Sequence, residues 1–272
     1  MIIAFVNTTY AKPRIVTSIT PIAGIVSMLT GDAAEIIVIN VDAGCPHHYH
    51  MRPSDKEKIQ EAQMLIFIDN HFDGFAAKLS ADFRGQLVKI SKLQSINFLD
   101  ERGQKNWHFW LDPNNVLALQ QELAEILSKE FPELKDTVQL NKDKAKIRIA
   151  SLLELKKQQL DSAPELVVLS DSLEHFFAGT DKNVIKLYQR KNSSLKDLDN
   201  LERVLDKKIA QCLVIDSSIP ASIYKRFNKK IIRLESENWS IGKGETSLQD
   251  MFYTKYLQMI NQLQNCQYSH SL

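Results

Sequence analysis

The stretch AGCPHHYHMRPSD, from Ala43 to Asp55, gathers three of the chain's seven histidines: His47, His48 and His50. A further isolated histidine, His108, sits in KNWHFWLDP. Neutral imidazoles are common ligands of borderline transition metals, and a pair from separate loops is a frequent start for a Zn²⁺ or Mn²⁺ site. The alternative is a His-rich surface turn plus a histidine packed beside Trp107 and Trp110. Hydrolytic zinc chemistry needs a ligand set with a nearby general base and an open water position. The sequence holds no HExxH and no HxHxDH, and no catalytic residue is expected. GKGET, at Gly242, has the wrong glycine spacing for a phosphate loop.

For His47 and His108 to meet, a scaffold must bring their loops together. PRIVTSI reads as a strand of β-branched residues. PIAGIVSMLTG reads as a helix stopped at Gly31. AEIIVIN is a second strand, and the histidine loop leaves its end. SDKEKIQEAQ reads as a helix with Ser54 as its cap and Glu57 closing a capping box. MLIFID and QLVKIS are further strands, with FDGFAAKLSADF helical between them. DPNNVLALQQELAEILSKEF is a helix just after His108. Such alternation argues for a parallel sheet covered on both faces.

Asp136 to Ala163 then carries no Gly or Pro and is charged on one side and apolar on the other. As one helix it would span about 40 Å, a spine between two lobes; the alternative is two helices broken near Asn141. Beyond it the rhythm resumes. ELVVLSD, NVIKLYQ, AQCLVID and IIRLES read as strands, and SLEHFFAGT as a helix or loop. SLKDLDNLERVLDKK, IPASIYKRFNKK and SLQDMFYTKYLQMINQLQNC read as helices. The expected fold is α/β: two lobes, each a mostly parallel sheet flanked by helices, joined by one long backbone helix. The expected boundaries are a first lobe at 12–135, a linking helix at 136–163 and a second lobe at 164–272. Sites in such sheets lie at the carboxyl ends of the strands.

Composition narrows the function classes. Of 272 residues, 34 are basic and 33 acidic, a formal charge of +1, so no basic face for nucleic acid is implied. No apolar run approaches the roughly 20 residues of a membrane-spanning helix. The opening run MIIAFVNTTYA, residues 1–11, reads as the remnant of a signal peptide, and a buried first strand is the other reading. Three cysteines, Cys45, Cys212 and Cys266, fit one disulfide and one free thiol, and spacing alone does not select the pair.

Taken together the motifs resemble a known family. PHHYHMRPSD resembles the PHxYxxRPSD loop of metal-binding proteins that feed ABC importers, and HFWLDP resembles that family's second signature. VTSITPIAGIVSMLTGD looks like the family's opening strand and helix. The helix after Asp136, with Asn141 inside it, looks like its interlobe helix. The likeness runs from about Arg14 over nearly the whole chain and narrows to the zinc-uptake branch of Gram-negative bacteria.

The resemblance implies a disulfide from Cys212, in CLVIDSSI, to Cys266, in NQLQNC, leaving Cys45 free. On the chain-entropy model that bridge contributes roughly 4 kcal/mol. It makes His47 and His108 metal ligands. It places Ser170, in SDSLEHFF, where the family carries a histidine or glutamate, and a serine hydroxyl is a poor zinc ligand. It places Glu235, in RLESEN, where the family carries an aspartate. Asp171, His175, His48 and His50 are additional candidates to complete the shell. DSSI, from Asp216, replaces the branch's EPQF stretch. The implied role is periplasmic binding of a divalent metal, Zn²⁺ first and Mn²⁺ second, by a monomer that delivers it to an ABC-type permease in the inner membrane. A divergent paralogue with a weakened or lost site is the alternative, and a zinc hydrolase a more distant one.

Overall fold

The computed structural model describes residues 11–40, 49–180, 182–189, 195–207, 210–239 and 247–266. The first sheet contains β1 (Arg14–Ile19), β2 (Glu35–Asn40), β3 (Met64–Phe67) and β4 (Gln86–Lys89), in the order β2-β1-β3-β4. Every pairing is parallel, with Ile15 beside Ile36 on one side and Met64 on the other. The second contains β5 (Leu166–Ser170), β6 (Val184–Gln189), β7 (Cys212–Asp216) and β8 (Lys230–Leu234), in the order β6-β5-β7-β8, again all parallel. Continuous runs such as MLIF and CLVID are buried along their whole length. Strands of a parallel sheet covered on both faces read that way, with no polar alternation.

Helices α1 (Thr20–Thr30), α2 (Pro53–Gln60), α3 (Gly74–Leu79) and α4 (Pro113–Glu130) belong to the first half. Helix α5 (Lys135–Ser162) is one unbroken helix of 28 residues, with no break at Asn141. Its buried stripe, Val138, Asn141, Ala145, Ile149, Leu152, Lys156 and Leu160, follows the three-to-four spacing of one helix face. Two polar members of that stripe tie the spine to the lobes: Asn141 Nδ2 donates to the Leu29 carbonyl at 3.1 Å, and Lys156 Nζ to the Phe176 carbonyl at 2.9 Å. Helices α6 (Leu195–Lys207) and α7 (Leu248–Gln264) complete the second half. The segments Asp171–Phe177 and Ala221–Phe227, expected as helix or loop and as helix, are 3₁₀ turns.

Helix α7 lies back across α1 and α5. Gly24 makes this approach possible, because a Cβ there would sit 2.8 Å from Met251 Cε and 3.4 Å from Phe252 Cβ. Just past its end, Cys266 is bonded to Cys212 on β7, with Cα atoms 5.9 Å apart. One apolar core therefore runs from Ile15 and Ile22 through Leu152 and Phe252 to Val168 and Val214. Dense packing of this kind resists large lobe motions. Among the described residues no helix is long and apolar enough to cross a membrane.

The cap of α2 differs from the sequence expectation. Pro53 lacks an N–H and occupies the first helical position, so the cap is Arg52 and Ser54 lies inside the first turn. Asp55 closes the box instead of Glu57: its Oδ2 accepts the Arg52 backbone N–H at 2.9 Å and the Tyr49 hydroxyl at 2.9 Å. Arg52-Pro53-Ser54-Asp55 thus pins the exit of the histidine loop.

Candidate metal site

The carboxyl ends of the two sheets face one cleft. From the first lobe, the chain after β4 forms a small hairpin closed by the bridge between Leu99 and Lys105 and then runs through Asn106 to His108. Asp100 organises the hairpin by accepting the backbone N–H groups of Arg102 at 2.9 Å and Gln104 at 2.7 Å. The hairpin also engages the second lobe. The Glu101 backbone N–H donates to Glu174 Oε1 at 3.1 Å, Arg102 bridges Asp100 and Glu174, and Lys186 pairs with Glu101. Burial pushes the Glu174 carboxyl above its ordinary range.

His108 is the centre of this region. Its ring packs on the edges of Phe72 and Trp110, with centroids at 5.7 and 5.3 Å, and Trp110 Nε1 donates to the Ser236 carbonyl of the second lobe at 2.9 Å. His108 Nδ1 lies 3.0 Å from Asn106 Oδ1, and Nε2 lies 2.8 Å from Glu237 Oε1 across the cleft. Both ring nitrogens thus face an oxygen. An imidazolium satisfies both; a neutral ring satisfies one, and a cation at Nε2 would serve the other. A tetrahedral zinc ion held by imidazole and carboxylate separates the two donor atoms by about 3.3 Å. The observed pair needs to open by about half an ångström to admit it. Beside His108, a polar pocket of 170 Å³ is lined by Asp100, Arg102, Asn106, Asp171 and Ser172, among others.

The other expected site residues fall as follows. His47, His48 and Cys45 lie outside the described residues. His50 is exposed. Ser170 is buried, and its Oγ accepts the Asp216 backbone N–H at 2.7 Å. Asp171 has an exposed side chain that lines the pocket, and its carbonyl accepts from Asn106 Nδ2 at 2.8 Å. His175 is buried, with Nε2 3.2 Å from the Asn106 carbonyl, and burial holds its imidazole below its ordinary range. Glu235 turns toward its own loop: Oε1 accepts the N–H groups of Glu237 at 3.2 Å and Asn238 at 2.8 Å, and Oε2 pairs with the Ser217 hydroxyl. Asp216 likewise accepts from Ser218 and Ser236. Among the described residues, no three His, Cys, Asp or Glu side chains are placed together to hold a metal.

Two residues of the site carry no warning in the sequence. Glu237 is one more carboxylate in RLESEN, and Asn106 one more amide before a histidine. Their shared signal is spacing: each lies in an i, i+2 pair, Asn106 with His108 and Glu235 with Glu237.

Residues 15–266 match the model of the family described as zinc-uptake complex component A, periplasmic. An uncharacterized protein of Rickettsia prowazekii is 37% identical over 266 residues, which is 97% of this chain and 87% of that protein. The high-affinity zinc uptake system protein ZnuA of Haemophilus ducreyi is 20% identical, over 93% of this chain and 92% of that protein. Among solved structures, the periplasmic zinc-binding protein TroA of Treponema pallidum superposes with a TM-score of 0.75 at 19% identity, covering 93% of this chain and 98% of that one. Fe(III)-bound YtgA of Chlamydia trachomatis superposes with a TM-score of 0.74 at 17% identity, covering 94% and 98%. The two four-stranded parallel sheets and the single long helix are the fold of these structures. The chain belongs to the ZnuA family of periplasmic metal-binding proteins.

Proposed function

We propose that this chain captures a divalent transition metal between its lobes and hands it to an ABC-type permease of the inner membrane, acting as a periplasmic monomer without chemical turnover. Zn²⁺ is the first candidate and Mn²⁺ the second. The observation that carries the reading is the 2.8 Å approach of His108 Nε2 to Glu237 Oε1 from opposite lobes. His47, a few residues beyond the end of β2, supplies a second imidazole in this reading. Glu237 supplies the carboxylate, and Glu235 shapes the loop that presents it. Asp171 is a further oxygen donor on the pocket wall.

One observation favours a second reading, a divergent paralogue with a weakened site. The Ser170 hydroxyl, which the family resemblance sets where a ligand is expected, is engaged with the Asp216 backbone.

The deciding experiment is calorimetric titration of the metal-stripped chain with Zn²⁺ and Mn²⁺, beside a His47→Ala, His108→Ala double variant. Tight one-to-one binding lost in the variant supports the receptor. Binding that is absent, or unchanged in the variant, favours the paralogue. Ligating imidazoles must be neutral, so affinity should fall as pH drops through about 6.5, the ordinary imidazole value. Affinity that holds steady across that range would rule out histidine ligation.

A further inference from the structure

Beside the bond from its backbone N–H to the Phe98 carbonyl at 2.7 Å, Asn106 makes four polar contacts at the cleft. Its Oδ1 accepts the His108 backbone N–H at 3.1 Å and stands 3.0 Å from His108 Nδ1. Its Nδ2 donates to the Asp171 carbonyl at 2.8 Å, and its own carbonyl faces His175 Nε2 at 3.2 Å. The first and third contacts settle which way the amide points. A peptide carbonyl only accepts and a peptide N–H only donates, so Nδ2 must face Asp171 and Oδ1 must face His108. Oδ1 has no proton to give. Any hydrogen bond between it and the ring requires the proton on Nδ1, which leaves the lone pair of the neutral ring on Nε2. That nitrogen points across the cleft at Glu237.

We infer that Asn106 is the positioning residue that fixes the His108 tautomer and aims its Nε2 lone pair into the interlobe cleft, and that its own orientation is braced by hydrogen bonds to the second lobe. The role rests on the metal-binding reading for its purpose, though not for its geometry. Partners that hold the other ring nitrogen of a ligating histidine commonly alter metal affinity 10–100-fold when removed. Two of the contacts that hold Asn106, the Asp171 carbonyl and the His175 ring, come from the second lobe. Apposition of the lobes therefore prepares the ligand as well as enclosing it.

The test separates the geometry from the metal. Glu237→Ala removes the acceptor opposite Nε2. In that metal-free variant at alkaline pH, ¹⁵N NMR of the imidazoles should find His108 held as the Nδ1–H tautomer, assigned by difference from His108→Ala. Adding Asn106→Ala should return the ring to the Nε2–H form that a free imidazole prefers. In the otherwise native chain, Asn106→Ala should weaken Zn²⁺ binding 10–100-fold, whereas Asn106→Asp, which keeps an acceptor at Nδ1 but loses the donor to the Asp171 carbonyl, should fall between the alanine variant and the parent. Circular dichroism and thermal melts establish that each variant is folded. A tautomer that ignores Asn106, or equal losses in the alanine and aspartate variants, would overturn the inference. A parent chain that binds no metal while its tautomer still follows Asn106 would uphold the positioning role and remove the metal reading instead.

Discussion

In the first lobe the Asn106 side chain accepts the backbone N–H of His108 at 3.1 Å; in the second the Glu235 side chain accepts that of Glu237 at 3.2 Å. Both loops leave a parallel sheet at its carboxyl edge. Both use an acceptor at position i to fold the chain back, and both present the side chain at i+2 to the cleft. The difference lies in what happens next. Asn106 also faces the His108 ring, which is walled by Phe72 and Trp110, so the first-lobe group is held in place. Glu235 directs its second oxygen to Ser217, and Glu237 reaches His108 with a carboxylate on two methylenes. The pair sets a ring imidazole against a carboxylate on a flexible side chain.

The lobes also differ in what holds them. Among the described residues the second lobe alone carries a disulfide, and removing it should give the largest stability effect. Cys212→Ser with Cys266→Ser should cost about 4 kcal/mol, read by urea denaturation; a loss near zero would show that packing of α7 on α1 already fixes the lobe. The two glutamates come next. Glu237→Gln should lower Zn²⁺ affinity about 100-fold, about 2.7 kcal/mol, while Glu235→Gln should change it only several-fold. The reverse order in calorimetry would make Glu235 the ligand and erase the parallel between the loops.

The spine supplies the third contrast, a neutral amide toward one lobe and an ammonium toward the other. Burial pushes Lys156 down to about 8, against an ordinary lysine value of about 10.4. Between those values the folded chain holds fewer protons than the unfolded chain, so stability should rise with pH across that window. Below about pH 8 the cost of burying the charge is fully present. The gain should be on the order of 3 kcal/mol. Lys156→Met should flatten the profile in melts taken from about pH 7 to about pH 10.5; an unchanged slope would mean that the ammonium reaches water. The smallest effect belongs to Ser170→Ala. Losing the acceptor for the Asp216 N–H should cost about 1 kcal/mol and leave Zn²⁺ affinity untouched. A large affinity loss there would restore Ser170 to the ligand shell.

Much of this molecule is legible along the chain, because its strands and helices are specified by near neighbours. The apolar runs from RIVTSI to IIRLES, the Gly- and Pro-free stretch after Asp136 and the order of the two histidine signatures need no tertiary knowledge, since periodicity and turn residues act within a few positions. The bridge between Cys212 and Cys266 was implied only through resemblance, because spacing cannot choose one pair among three cysteines. The cap of α2 was misread because a proline's missing N–H outweighs the pattern of serine and glutamate that follows it.

What only the tertiary structure decided is which side chains meet. Glu235 and Glu237 are chemically identical and two residues apart. A turn set by Ser217, Asn238 and the carbonyl contact from Trp110 sends one back to its own backbone and the other across the cleft. Asn106 acquires its orientation from Asp171, sixty-five residues away. Those choices depend on loops from two lobes pressing together, and no local pattern encodes a contact of that range.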